Sequence, residues 1–483
     1  MLLRSTLIYG PAILLTRISA LLLLVVVTRL IDQDEYGLLT LVVTVGEMTD
    51  LAVTNWLRIA LLRLGGTVDV SRGSLALAGK VLLGSTALAL VIAVAGSVIV
   101  VPERWPEFAL AVCAYLIAGS IARLALTVLQ MQQRHSAYSL LECLRAILQL
   151  ALPILAILLL PNSFLVVSLG SSAGMLIAGL IAGIVAARRV VVGPAKFTGR
   201  ELVSLGLPLV VMALVGFGLN SAERLFLNAY HDAGAVALFA AAYVLARQPI
   251  DMVGNAINVG AFPQVMNRFD EEGPAGSAAL LTQLMALMLQ LCLPVAALLV
   301  ALNGPITELM LPASYHGRVG LLFPVIAFSV LCANLTSFVY GTVIHAHKRP
   351  ALLIVGTLVG SAATIGLSML LIPRWAELGA ALALAGGSIA ALGACAFLSE
   401  RLTHVPVAWR SIGCSLAIAL GTGLSAALTA FLLEALPALI VLVAGGSAGL
   451  AVFLILSWMI YPQAARQFGD AAVQRYRKLR NRG

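Results

Sequence analysis

Glu47, Asp50, Thr54 and Arg58 recur three, four and four residues apart in a stretch otherwise rich in Leu, Val, Ala and Ile. At about 100° per residue they fall on one face of one helix. Carboxylates and a guanidinium on one face can bind an ion, pair with each other, or line a path for something polar. A charge at the centre of a bilayer costs about 2.5–3.5 kcal/mol on insertion scales, so such residues turn toward a bundle interior or a wet cavity.

The same pattern returns elsewhere. Arg247, Asp251, Asn255 and Asn258 share a face, and the first two are spaced to pair. Glu142, Arg145 and Gln149 form a third stripe, Arg123, Thr127, Gln130 and Arg134 a fourth, and Asn220, Glu223, Arg224 and Asn228 a broader arc. Arg17 is one deep charge in the first apolar segment. Arginine suits phosphate, because its planar fork of donors stays charged. Arg17, Arg58, Arg247, Arg224 and Arg123 are therefore candidates for gripping an anionic cargo. Glu47, Asp50, Glu223 and Asp251 are candidates either for a coupling proton or sodium ion or for pairing with those arginines. The plainer alternative is neutralised pairs that hold helices together, with Arg58, Arg134 and Arg224 snorkelling to the interface.

The elements that must position these side chains follow from composition. The 483 residues are 61% hydrophobic and 11% charged, against about 25% charged in a soluble protein. This is an all-α polytopic membrane protein. With about 20 apolar residues needed per crossing, about 14 transmembrane helices are expected, at 7–30, 37–61, 75–101, 107–131, 138–160, 164–187, 202–229, 235–262, 278–302, 319–344, 351–373, 377–398, 411–433 and 436–460.

Arg and Lys fall mainly in alternate loops, around 63–72, 134, 188–200, 268, 348–349 and 401–410, and in the tail. The positive-inside rule then puts both termini in the cytoplasm. The net charge of +9 reads as anionic-lipid contact rather than nucleic-acid binding. The basic linker at 191–201 contains Gly193-Pro194 and separates an N-terminal six-helix lobe, 1–190, from a second, 202–400. A terminal helix pair at 401–462 and a basic cytoplasmic tail at 463–483 follow. Pro11 and Pro208 occupy matching places early in the first and seventh spans, so the lobes read as pseudo-symmetric repeats around a central cavity.

The six cysteines lie in apolar stretches without a CxxC or Cys/His cluster, so neither disulfide nor metal is expected. Gly73 to Lys80 departs from a phosphate loop in spacing and carries Val81 where Ser or Thr is required. No HExxH or GxSxG appears and no large loop houses a soluble site, so no enzyme and no cofactor are expected. Thr357, Ser361, Thr364 and Ser368 read as a helix-packing stripe.

Segment 17–64, with Arg17, Thr28-Arg29-Leu30 and Glu35-Tyr36-Gly37, resembles the N-terminal pattern of bacterial polysaccharide flippases. Gly206-Leu207-Pro208 through Glu223-Arg224, then Ala240-Ala241-Ala242-Tyr243 and Phe262-Pro263, resembles the start of their second lobe. His347-Lys348-Arg349-Pro350, Leu371-Ile372-Pro373 and Leu378-Gly379-Ala380-Ala381 resemble their late motif. The resemblance implies the multidrug/oligosaccharidyl-lipid/polysaccharide exporter superfamily, and a flippase in the inner membrane. It implies a cargo of polyprenyl-diphosphate-linked oligosaccharide, moved by alternating access toward O-antigen, capsule, other lipopolysaccharide or exopolysaccharide. It further implies diphosphate contacts by Arg17, Arg58 and Arg247, a tail site on the last helix pair, and a polysaccharide polymerase and export machinery as partners. Three other readings compete: a lipid II flippase of peptidoglycan synthesis, a cation-coupled multidrug exporter, and a membrane-embedded glycosyl-ligase or polymerase, against which the short outward loops count.

Overall fold

The computed structural model describes residues 2–64 and 70–460, with side chains from Leu14 onward except Leu207 and Leu209. The expected basic tail, 463–483, lies outside the described residues. Among those described no strand occurs, only one isolated bridge between Ser71 and Val191.

The helices are α1 (Leu2–Leu30), α2 (Gln33–Val53), α3 (Asn55–Leu64), α4 (Arg72–Val100), α5 (Trp105–Met131), α6 (His135–Leu159), α7 (Phe164–Ala187), α8 (Gly199–Asn220), α9 (Ala222–Tyr230), α10 (Ala233–Ala301), α11 (Asn303–Met310), α12 (Arg318–Leu335), α13 (Gly341–Ala346), α14 (Pro350–Glu400), α15 (Trp409–Leu432) and α16 (Ala438–Ile460). Among the described residues eleven helical runs are long and apolar enough to cross a membrane. Two of them are each a pair of spans, since α10 breaks at Gly273 (φ 72°) and α14 at Ala376 (φ 43°). With these divided and α1 added, the described residues hold the fourteen crossings read from the sequence.

Several crossings are interrupted. The second is α2 and α3, broken at Thr54 (φ −121°, ψ −36°). The seventh is α8 and α9, broken at Ser221 (φ −148°, ψ −8°). The tenth runs from α12 through a π-helical turn, Thr336–Tyr340, into α13. Wide helical turns of this kind are rare and gather at functional sites.

The outer surface is that of a membrane protein. Leu420, Leu424 and Leu428 on α15 are 60–68% exposed, an apolar band that water would not tolerate. Trp105, Trp409 and Trp458 are exposed near helix ends, where indole suits the headgroup level. Small residues let the last pair approach: a Cβ on Gly449 would lie 3.2 Å from the Thr422 carbonyl oxygen, and one on Gly445 3.3 Å from that of Ala426. The stripe on the first part of α14 is buried at Ser361, Thr364 and Ser368.

By contacts the chain forms two compact units, residues 1–244 with 357–387, and residues 245–356 with 388–483. In the first unit, Glu35 of α2 ties three helix starts at one membrane face. It accepts from Arg104, which also pairs with Glu107 at 2.6 Å, and from the Phe164 backbone N–H at 2.6 Å. The turn after α5 ends with Gln133 at φ 54° and a bond from the Arg134 N–H to the Leu129 carbonyl at 3.0 Å. In the second unit the turn after α13 repeats this pattern, with Lys348 at φ 56° and the Arg349 N–H on the Ile344 carbonyl at 3.2 Å. Both are left-handed helix C-caps built without glycine.

Candidate functional site

The opening stripe surrounds the break in the second crossing. No Pro or Gly lies between Val53 and Trp56. The Thr54 hydroxyl donates to the Asp50 carboxylate, and the Thr54 N–H still reaches the Asp50 carbonyl at 2.9 Å, so the last bond of α2 is intact. The Trp56 indole N–H donates to the Val53 carbonyl at 2.9 Å, occupying an acceptor at the break.

Asp50 has a side chain only 5% exposed and pairs with Arg123 of α5 at 2.8 Å. The Arg123 guanidinium also lies 6.0 Å from the Tyr115 ring centroid. Two glycines make room for this arrangement. A Cβ on Gly119 would lie 2.3 Å from Arg123 Nη2, and one on Gly46 would lie 2.5 Å from Tyr115 Cδ1. Arg58, one turn beyond the break, joins Arg123 around a cavity of about 20 Å³ that Thr54, Asn55, Ser120 and Thr127 also line. That space holds about one water. Two guanidiniums thus border one small cavity walled also by Leu57, Leu61, Leu82 and Leu124, and one of them is held by the buried Asp50 carboxylate; opposite charge nearby favours the ionised form of each partner.

The remaining candidates distribute as follows. Glu47 is exposed, one turn before Asp50, and Arg17 is half-buried on α1. Of the two roles left open for the stripe's carboxylates, the structure gives Asp50 an ion pair, with an arginine of another helix. Glu142 and Arg145 pair at 2.7 Å, and Arg145 also donates to the Gln149 side-chain amide oxygen, Oε1, at 2.5 Å. Gln149 borders a second cavity, about 240 Å³, which Thr16, Ser19, Tyr115, Ser168 and Ser171 also line.

At the break of the seventh crossing, Glu223 is fully buried. Arg224 lies 5.0 Å over the Tyr243 ring, a cation–π contact. In the second unit Arg247 pairs with Asp251 at 2.8 Å, four residues apart as the sequence implied. Asn255 donates to the Asp251 carbonyl at 2.7 Å. Gly254 lets Asn334 come close, since a Cβ there would sit 2.7 Å from Asn334 Nδ2. The tenth crossing therefore meets this polar face through an amide and a wide helical turn rather than a charge.

Sequence reasoning did not single out Tyr115, Gly119 or Ser120. The available signal was a glycine four residues before an intramembrane arginine, where the long side chain needs room to fold back. Among the described residues no cluster of His, Cys, Asp and Glu could hold a metal ion.

Interrupted apolar helices with polar groups at the interruptions recur in secondary transporters. The fold matches the lipid II flippase MurJ in an inward closed conformation, with a TM-score of 0.76 at 12% identity over 95% of this chain and all of that one. It also matches an inward-facing multidrug resistance MATE family transporter of the MOP superfamily (TM-score 0.57, 14% identity, 80% of this chain and 94% of that one). A third match is the eukaryotic MATE transporter AtDTX14 (TM-score 0.55, 14% identity, 86% and 99%). These neighbours are transporters rather than enzymes. The chain belongs to the polysaccharide biosynthesis protein family, whose pattern it matches over residues 26–320. A comparison with curated proteins finds no match.

Proposed function

We propose that the protein flips a polyprenyl-diphosphate-linked oligosaccharide from the cytoplasmic to the periplasmic leaflet of the bacterial inner membrane by alternating access. The observation that carries this reading is the pair Arg58 and Arg123, bordering one small cavity at a broken crossing in a chain of the polysaccharide biosynthesis family. Guanidiniums in a low-dielectric site attract a diphosphate strongly. In this reading the cargo's phosphates compete with Asp50 for Arg123, and Arg17, Arg224 and Arg247 contribute further contacts. Two pseudo-symmetric lobes around a central cavity, a tail site on α15 and α16, cytoplasmic termini, and a polymerase acting downstream belong to the same proposal. Glu47, Glu223 and Asp251 are its candidates for coupling to a proton or sodium gradient.

The test is complementation of a polysaccharide-export mutant, with its lipid-linked intermediate measured. Wild type should clear the intermediate, Arg123→Ala should not, and both should insert equally. Full export by Arg58→Ala and Arg123→Ala alike would remove the basis of the reading. One observation favours a second cargo: the fold match to a lipid II flippase covers nearly the whole chain. Growth of a strain depleted of its lipid II flippase, restored by this chain, would shift the assignment to peptidoglycan synthesis.

A further inference from the structure

We infer that the groove between α4 and α7, floored by α5, is a site for one anionic phospholipid. Its volume is about 420 Å³, within the size range of small-molecule pockets. Leu75 and Leu82 of α4 form one wall, Gly183 and Ala187 of α7 the other, and Leu124 and Val128 of α5 the floor. On each helix the lining covers eight or nine residues, about 10–12 Å of rise. All of it lies at the ends that meet the 63–72, 134 and 188–200 loops, so the groove occupies one leaflet. Gly183 keeps it open: a Cβ there would meet only the Ala125 Cβ, at 4.0 Å.

What selects an anionic headgroup is the mouth. Arg188 and Arg189 follow directly on Ala187, and Arg72 precedes Leu75 by three residues on the same face of α4. Backbone bonds hold these two chain segments together, from the Arg72 N–H to the Val191 carbonyl at 2.8 Å and from the Val191 N–H to the Val70 carbonyl at 3.0 Å. The Ser71 hydroxyl donates to the Pro194 carbonyl at 2.6 Å. Gly73 is fixed by this seam, because a Cβ there would lie 2.4 Å from the Ala195 backbone nitrogen. Three exposed arginines are thereby gathered at the open end of an apolar slot. No acid occurs in the described stretches 70–82, 121–132 and 179–198; Asp69 lies outside the described residues. Glu201, the next carboxylate along the chain, is engaged by the Thr198 N–H at 2.7 Å. A slot for acyl chain with a cationic rim at headgroup depth fits a phosphate-bearing lipid, and this holds whatever the transported cargo is.

The experiment is native mass spectrometry of the purified full chain in neutral detergent, titrated with phosphatidylglycerol or phosphatidylcholine. Wild type should retain one phosphatidylglycerol in preference to phosphatidylcholine. Gly183→Leu, which fills the slot, should lose it. Ala187→Leu at the exposed mouth gives an independent block if Gly183→Leu folds poorly. Arg188→Ser with Arg189→Ser should lower the preference by about fivefold per arginine removed, while Arg188→Lys with Arg189→Lys keeps it. Equal retention of phosphatidylcholine, or full phosphatidylglycerol occupancy in both groove-filled variants, overturns the assignment. Displacement by polyprenyl phosphate that depends on the same residues also overturns it, and makes the slot a carrier site.

Discussion

Gly119→Ala tests whether the Asp50–Arg123 pair is held by the space beside it. The added methyl would lie 2.3 Å from Arg123 Nη2 and 3.0 Å from Cζ. Ordinary contact begins at about 3.5 Å, so the guanidinium must retreat by about 1 Å. It is the far end of a flexible side chain, and the backbone need not move. The pair now stands at 2.8 Å; at an effective dielectric of about 20, opening it to about 4 Å weakens the attraction by roughly 2 kcal/mol. Replacing a mid-helix glycine with alanine returns about 1 kcal/mol. The variant should therefore lose about 1 kcal/mol of stability while export falls sharply. In an Asp50→Asn background the attraction is already gone, and the same substitution should be neutral or stabilising by about 1 kcal/mol. The assay is a double-mutant cycle of denaturant unfolding on the purified protein, with export measured in parallel. Additivity of the two substitutions within about 0.5 kcal/mol would refute the coupling.

Other outcomes follow from the same geometry. Arg247→Ala strands Asp251, whose side chain is 9% exposed; unfolding should show a loss of about 2–4 kcal/mol, much of it recovered by Arg247→Gln with Asp251→Asn. Gln133→Gly and Lys348→Gly relieve left-handed backbone at exposed positions, and each should raise stability by about 0.5–1 kcal/mol in the same unfolding assay. Gly37→Ala places a methyl 1.8 Å from the Ala233 carbonyl oxygen; because the obstacle is backbone, a loss above about 2 kcal/mol and poor recovery from the membrane are expected.

The crossings were legible because membrane insertion depends on length and apolarity, both local properties of sequence. The expected span 107–131 is α5, 105–131 in the structure, and 164–187 is α7 to the residue. The eighth span was read too short, at 235–262, whereas its helix runs on to the break at Gly273. Residues 263–272 carry Gln264, Asn267, Arg268, Asp270, Glu271 and Glu272, and a hydropathy window stops where a helix leaving the membrane does not. The interruptions at Thr54 and Ser221 carry no Pro or Gly at the break. Beside Thr54 the Trp56 indole N–H takes the Val53 carbonyl, and the Leu57 N–H bonds to the Thr54 carbonyl at 3.2 Å instead, a feature that periodicity does not register.

The sequence alone determined a membrane bundle of about fourteen helices, charges confined to a few helix faces, and basic loops on alternate connections. Each of these follows from the energy of moving a residue type between water and lipid. It also determined the pair Arg247–Asp251, since one turn of helix brings those side chains together. Only the tertiary structure decided that Asp50 meets Arg123, that Arg224 lies over Tyr243, and that the backbone at Arg72 is bonded to Val191. Those partners are on different helices or distant segments. Their meeting depends on which glycines let two backbones or a folded arginine approach, a property of packed surfaces that spacing along one chain does not encode.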